Sequence, residues 1–495
     1  MAFTFAILTD LHYGDPGPLA ERRGELAAVL LQRTVERLNR FVKPHLVVVL
    51  GDLLNHPEVE RATEDLHELR SILDGLACPY LAIPGNHDFA PAQFYDVMPE
   101  PEAITQIDDV RLLCFADREE PGCHARRTEA DLVRLRSARH DGFSGSLVTL
   151  QHVPVMPRGQ ELIYSYTNLD DVLAASTEAR VTLNLGGHCH QNSGLVHADG
   201  TYHLAVEALC ESPHAYALVT LASDGSIQME RQSLAMPTAY GLIDLHSHTQ
   251  MAYCAGDVHV NRSPVIAEAM GLRGLAFTEH SGHLYFSSED FWSGRASATG
   301  IAGVRDEDER VTDYFALARS ATSQLPLLLG MEVDTDFTGS PVIHPAHRAE
   351  LEWAVGAVHF IPAEAQDSQA AFVAAFQRLT EGICASGIDV LAHPFRIFRR
   401  EQRDVPATLY PWLVDVLRRT GVAAEINFHT NEPHPTFVQM CLESGVRLTF
   451  GSDAHELWEV GEFFGHLKLL ERLGVSGDPT PFLLTPQCLA ALLKP

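Results

Sequence analysis

Side chains able to ligate metals recur where apolar runs stop. In the first half, residues 3–9 lead into Asp10 and His12, and 46–50 into Asp52. Residues 80–83 lead into Asn86 and His87, 146–150 into His152, and 181–185 into His188 and His190. One histidine at a strand end is usually a satisfied structural residue. Together these side chains are oxygen and nitrogen donors of intermediate hardness, a set that suits two octahedral Mn, Fe or Zn ions sharing a bridging carboxylate. Two such cations turn water into hydroxide near neutral pH and neutralise phosphoryl oxygens during in-line attack. A diester also needs its leaving alkoxide protonated, a task for an imidazole beside the metals.

The second half repeats the device. Residues 241–245 end in His246 and His248, 272–277 in Glu279 and His280, and 325–329 in Glu332. Residues 353–358 end at His359, 388–391 at His393, 422–424 at Glu425 and Asn427, and 446–450 at Asp453 and His455. Arg396, Arg399 and Arg400 follow His393. They read either as a bidentate clamp for a phosphate dianion or as a basic helix start on the surface.

The elements that must hold these residues are buried strands. Residues 45–52, His-Leu-Val-Val-Val-Leu-Gly-Asp, are apolar without alternation, as in a strand covered on both faces. A carboxylate at its carboxyl end stands where open α/β folds keep their sites. Helical spacing is expected over 21–43, 59–76 and 129–139, and the segments 215–221 and 226–231 read as a closing hairpin. The pattern resets at 232–240, which places a domain boundary there: 1–232, then 240–495. Beyond it, strands alternate with helical segments at 262–270, 311–322, 368–385 and 409–419, so the strands pair in parallel. Seven strand ends converging on one place imply a closed barrel with its site at the carboxyl face. Residues 284–310, polar with an Asp-Glu-Asp-Glu run at 306–309, read as a mobile loop or lid. The chain closes on a Leu-rich helical tail.

In order, Asp10-x-His12, Gly51-Asp52, Gly85-Asn86-His87-Asp88, His152 and Gly187-His188-x-His190 resemble the calcineurin-like metallophosphoesterases over about residues 1–232. The resemblance implies a four-layer α/β sandwich with two metals. Asp10, His12 and His190 would hold one metal, Asn86, His152 and His188 the other, and Asp52 would bridge them. His87 would be the general acid. The Asp-x-His spelling is closer to the small-molecule phosphodiesterase branch than to the protein phosphatases.

The second half resembles the PHP (polymerase and histidinol phosphatase) family, leaning to its histidinol-phosphatase-like branch. His-Ser-His-Thr, Thr-Glu-His, Gly-Met-Glu, Val-His, His-Pro and Ser-Asp-Ala-His occur in family order. This implies a distorted seven-stranded β/α barrel with two or three metals. His246, His248, Glu332 and Asp453 would hold the first, Glu332, His359 and His393 the second, and His280 and His455 the third. Where some members have a third-site histidine, Cys254 stands here. It is either a thiolate ligand for Zn or Fe or an inert buried thiol. Nearby His259 and His283 read first as solvated loop histidines and second as substitutes for that ligand.

Composition bounds the rest. At 495 residues the chain exceeds one ordinary core. No run of 18 apolar residues suggests a membrane span, and no signal peptide is legible. The nine scattered cysteines favour reduced thiols and a cytoplasmic protein. A net charge of −29 disfavours nucleic acid as a partner. The expectation is a bifunctional metal-dependent phosphoesterase for small-molecule substrates, its first domain cutting a phosphodiester and its second a phosphomonoester. Alternatives are a phosphodiesterase with a non-catalytic PHP module and, after it, a nuclease or repair enzyme. The oligomeric state stays open.

Overall fold

The computed structural model describes residues 2–14, 21–222, 224–304 and 309–486. Its chain contacts divide it into two compact units, Met1–Ala235 and Met236–Pro495.

The first unit is built on two sheets. One has five strands, ordered Ile227–Ser233, Ala215–Leu221, Phe3–Leu8, Leu46–Val49, Tyr80–Ala82. The last three run parallel, and Ala215–Leu221 is antiparallel to Phe3–Leu8. The other has six, ordered Val196–Ala198, Thr201–Ala205, Leu183–Gly186, Ser146–Gln151, Val110–Phe115, Thr105–Ile107. Alternate residues Phe5, Ile7, Leu46 and Val48 of the first sheet meet Leu112, Val148, Leu150 and Leu183 of the second in one core. The intervening Val47 and Val49 are equally buried, which explains a run with no polar alternation. Leu113, Phe115 and Leu147, on the outer face of the second sheet, pack with Leu132, Leu135, Val172 and Ala175. Those residues belong to helices Glu129–Arg136 and Leu169–Glu178. Burying each such Leu, Val or Phe stabilises by about 1.5–3 kcal/mol. The fold is a layered α/β sandwich.

The second unit carries seven parallel strands in sequence order: Asp244–Ser247, Leu275–His280, Leu327–Asp334, Trp353–Ala357, Val390–Leu391, Ala423–Asn427 and Leu448–Gly451. First and last close on each other. The Asp453 amide donates to the His246 carbonyl at 2.7 Å and the His248 amide to the Ala454 carbonyl at 3.1 Å, across a parallel bridge Ser247–Ala454. The sheet is therefore a seven-stranded β/α barrel. Leu245, Ala276, Leu328, Trp353, Val355, Val390 and Ala423 form its core, and the Trp353 indole N–H donates to the Leu245 carbonyl.

Over its described residues, the segment expected to be a mobile loop or lid carries regular structure. It forms short helices Ser281–Tyr285, Ser288–Trp292 and Arg295–Thr299, the second capped by the Ser287 hydroxyl, which accepts from the Asp290 amide. Phe291 anchors it by edge contact with His283, ring centroids 4.2 Å apart. Most of the acidic run, and the tail beyond residue 486, lie outside the described residues. No helix among the described residues is long and apolar enough to cross a membrane.

Candidate metal centres

Each centre is made by strands that end abruptly. Asp10, His12, Asp52, His188, His190, His393 and Asp453 all have positive φ, between 30° and 64°. Non-glycine residues held there cost about 1–3 kcal/mol each and cluster at functional sites. The left-handed turn swings each side chain off its strand and across the carboxyl edge of the sheet.

In the first unit the structure brings together every donor expected from the sequence. His12 Nε2 and His190 Nε2 lie 3.1 Å apart, with Asp10 Oδ1 3.3 Å from His190 and 3.7 Å from His12. His188 Nδ1 is 3.0 Å from His152 Nε2, which is 3.2 Å from both Asn86 Oδ1 and Asp52 Oδ2. The same Asp52 oxygen lies 3.7 Å from His12 Nε2, so it stands between the two groups. Tautomers follow from the other ring nitrogens. His152 Nδ1–H donates to the Leu50 carbonyl, His188 Nε2–H to the Cys123 carbonyl, and His190 Nδ1–H to Glu211 Oε1 at 2.6 Å. In the neutral rings the nitrogens facing inward therefore carry bare lone pairs. Lone pairs and carboxylate oxygens crowded at 3.0–3.7 Å repel unless a cation sits among them. Asp10 Oδ1, fully buried, accepts no hydrogen bond. Two cations fit this donor set.

The protonation energetics agree. Burial alone would lower His152, yet the adjoining Asp52 and Asp10 raise it to about 10. Burial would raise Asp52, but His152 and His12 hold it near 2. His188 drops to about 4 through burial and the charge of His152. The pocket asks for positive charge and accepts a proton where it lacks a metal. His87 stands at the edge, its amide donating to Asp52 Oδ1 at 2.8 Å and its Nδ1–H to the Asn55 carbonyl. A cleft of about 440 Å³ opens beside Asn86, His152 and His188.

The barrel centre turns on Glu332, fully buried. Its Oε2 faces His246 Nε2 at 3.7 Å and His248 Nε2 at 3.8 Å; its Oε1 faces His393 Nε2 at 2.9 Å and His359 Nε2 at 3.3 Å. Asp453 Oδ1 lies 2.9 Å from His248 and 3.5 Å from His246. Glu332 thus has one oxygen in each of two groups. His246 Nε2 and Glu332 Oε2 are buried without hydrogen bonds. Burial opposes charge on His246, His248 and His359, but Glu425, Asp453 and Glu332 raise His246, Asp453 and Glu279 raise His248 to about 9, and Glu332 and Asp334 raise His359 to about 9. The donor set again fits two cations.

A third group comprises His280 and His455, with Cys254 Sγ 3.0 Å from His455 Nε2 and 3.6 Å from His280 Nε2. Cys254 borders a cavity of about 420 Å³, while burial and the nearby Glu279, Asp453 and Glu332 push its thiol up. His283, expected in solvent, is fully buried. Glu279 lies behind the ligands: Oε1 is 3.4 Å from His248 Nδ1, and Oε2 accepts from the Thr249 hydroxyl. Arg396 reaches inward, donating to Asp453 Oδ2 at 2.5 Å and to His359 Nε2 at 3.1 Å, and lines the cavity with Arg399 and Arg400.

Two carboxylates, Glu211 and Asp334, escaped the sequence reading as site residues, and a third, Glu425, expected among the strand-end donors, stands behind them. Glu211 orients His190, Glu425 Oε1 orients His246 Nδ1 at 2.7 Å, and Asp334 Oδ1 orients His359 Nδ1 at 2.6 Å. Such partners fix the ligating tautomer. Asp334 had a signal: two residues after Glu332, it shares its face of the strand.

Comparison with known proteins finds two family matches. The calcineurin-like phosphoesterase family matches residues 3–192 and the PHP domain family residues 244–429. A curated protein of Deinococcus radiodurans, described as "Probable histidinol-phosphatase", is 24% identical over 250 residues, spanning 45% of this chain and 89% of that protein. The solved dimetal phosphatase from Danio rerio is 20% identical, with a TM-score of 0.41, over 47% of this chain and 96% of that one.

Proposed function

Because the chain joins a calcineurin-like phosphoesterase domain to a PHP domain, both of them families of metal-dependent phosphoesterases, we propose that it is bifunctional. The first domain hydrolyses a small phosphodiester, and the second releases phosphate from a monoester, the first domain's product being the natural candidate. The observation carrying this reading is the pair of donor clusters, each organised on one carboxylate that faces two groups of ligands.

Bound divalent cations would supply a hydroxide near neutral pH and neutralise the phosphoryl oxygens. The chain's own residues do the rest. In the first domain Asp10, His12 and His190 would hold one cation, Asn86, His152 and His188 the other, with Asp52 between. His87 is positioned to protonate the leaving alkoxide. Its Nδ1–H is spent on the Asn55 carbonyl, so the proton given is the one on Nε2 of the imidazolium. In the barrel His246, His248, Glu332 and Asp453 would hold one cation and Glu332, His359 and His393 a second. Arg396 has a guanidinium at the cavity floor, placed to grip a phosphoryl oxygen as it gains charge.

The test is a pair of variants, Asp52→Asn and Asp453→Asn, screened with Mn over mono-, di- and cyclic phosphoesters. Diester cleavage should vanish only in the first and monoester cleavage only in the second. Loss of both activities in one variant rejects the division of labour.

A further inference from the structure

We propose that Cys254 makes the third cation position of the barrel a thiolate site, joined by His280 and His455, which selects zinc over manganese. The proposal rests on reading the barrel as a metal centre, but its test involves no turnover.

The three donors come from separate places in the fold. Cys254 lies in the turn after the first barrel strand, His280 at the end of the strand Leu275–His280, and His455 just beyond Leu448–Gly451. The sulfur is 3.0 Å from His455 Nε2 and 3.6 Å from His280 Nε2. His455 is ready to ligate. Its Nδ1–H donates to the Asp453 carbonyl at 2.7 Å, so Nε2 presents its lone pair to the sulfur. His280 Nδ1 lies 2.6 Å from Glu332 Oε2 without a hydrogen bond, and Nε2 is the nitrogen that faces Cys254. His283 also comes within reach of Cys254 and His280. Its Nδ1, however, accepts from the Tyr253 amide, so the neutral ring keeps its proton on Nε2 and is no donor there.

One sulfur and two imidazole nitrogens leave a fourth, open position facing the cavity, the arrangement zinc adopts when it also binds water or substrate. Soft thiolate favours zinc, whereas manganese prefers oxygen donors. The other two groups of the barrel are imidazole and carboxylate sets that accept either metal. The centre is therefore mixed in chemistry, with the sulfur position the selective one. On binding, the Cys254 S–H releases its proton to solvent and an S–Zn bond forms; no electrons are transferred.

The experiment is alkylation of the full chain by iodoacetamide, read at Cys254 by peptide mass spectrometry, after chelation and after loading with zinc or with manganese. A free thiolate is needed for attack, and burial with the nearby Glu279, Asp453 and Glu332 pushes the Cys254 thiol up, so labelling is run at alkaline pH, where the chelated chain reacts measurably. Zinc should slow Cys254 labelling about tenfold or more, and manganese at the same free concentration less than about twofold. Equal labelling with and without zinc, or equal protection by manganese, overturns the proposal. Cobalt loading gives a second readout. The native chain should show a thiolate-to-cobalt charge-transfer band that Cys254→Ser and Cys254→His lose. A band that survives in a folded Cys254→Ser variant also overturns it.

Discussion

A histidine ligates through one nitrogen only if its other nitrogen has somewhere to place a proton. That is the work of Glu211, Glu425 and Asp334, none of which belongs to the inward-facing donors. Glu211→Gln and Asp334→Asn should each weaken metal binding about 10–100-fold, read by competition with a chelator. The first should affect only the amino-terminal centre and the second only the barrel. Residue-level legibility divides along the same line. Asp10, His12, Asp52 and the histidine motifs announce themselves because a strand end concentrates them. Glu211 does not, since it sits in a loop that reaches its partner only through the fold. Acid titration offers a separate test. Buried His203 and His214 have folded pKa values below 6.5, chiefly from desolvation. At these two sites the unfolded chain binds more protons than the folded one as pH drops below 6.5, so their contribution to stability falls on acidification. His203→Gln should therefore lose less urea midpoint, or gain more, between pH 7 and pH 5.5 than the native chain.

At the level of elements, backbone closeness matters as much as side-chain chemistry. A Cβ on Gly85 would run into the Asp52 carboxylate and backbone, so only glycine lets the loop of Asn86 and His87 lie against Asp52. Gly85→Ala should lower the amino-terminal metal content and the stability of that unit, measured by metal analysis and differential scanning calorimetry, while barrel metal content stays unchanged. The strands were legible because each is a short apolar run that stops at glycine, proline or a polar side chain. The barrel helices were legible through apolar periodicity over a dozen residues, as in Leu409–Thr420. The segment after His280 was misread for the opposite reason. Helices of five residues, such as Ser288–Trp292, are too short to show a period, and their Ser and Gly content resembles a loop. Helix Leu169–Glu178 and strands Val196–Ala198 and Thr201–Ala205 were likewise missed, being short or weakly patterned.

For the whole molecule, each unit has its own core and its own donors. We expect residues 1–235 and 236–495, expressed separately, to fold and to bind metal, as read by circular dichroism and bound-metal analysis. An unfolded barrel half would show that the boundary is wrongly placed. The ladder that closes the barrel has a consequence for biogenesis. His248 and Asp453, 205 residues apart, share one contact at 2.9 Å. During translation the early histidines emerge long before the late aspartate exists to confine them. At roughly 5–20 residues per second that span takes on the order of tens of seconds to synthesise, during which the nascent chain displays naked imidazoles to whatever ions the ribosome's surroundings hold.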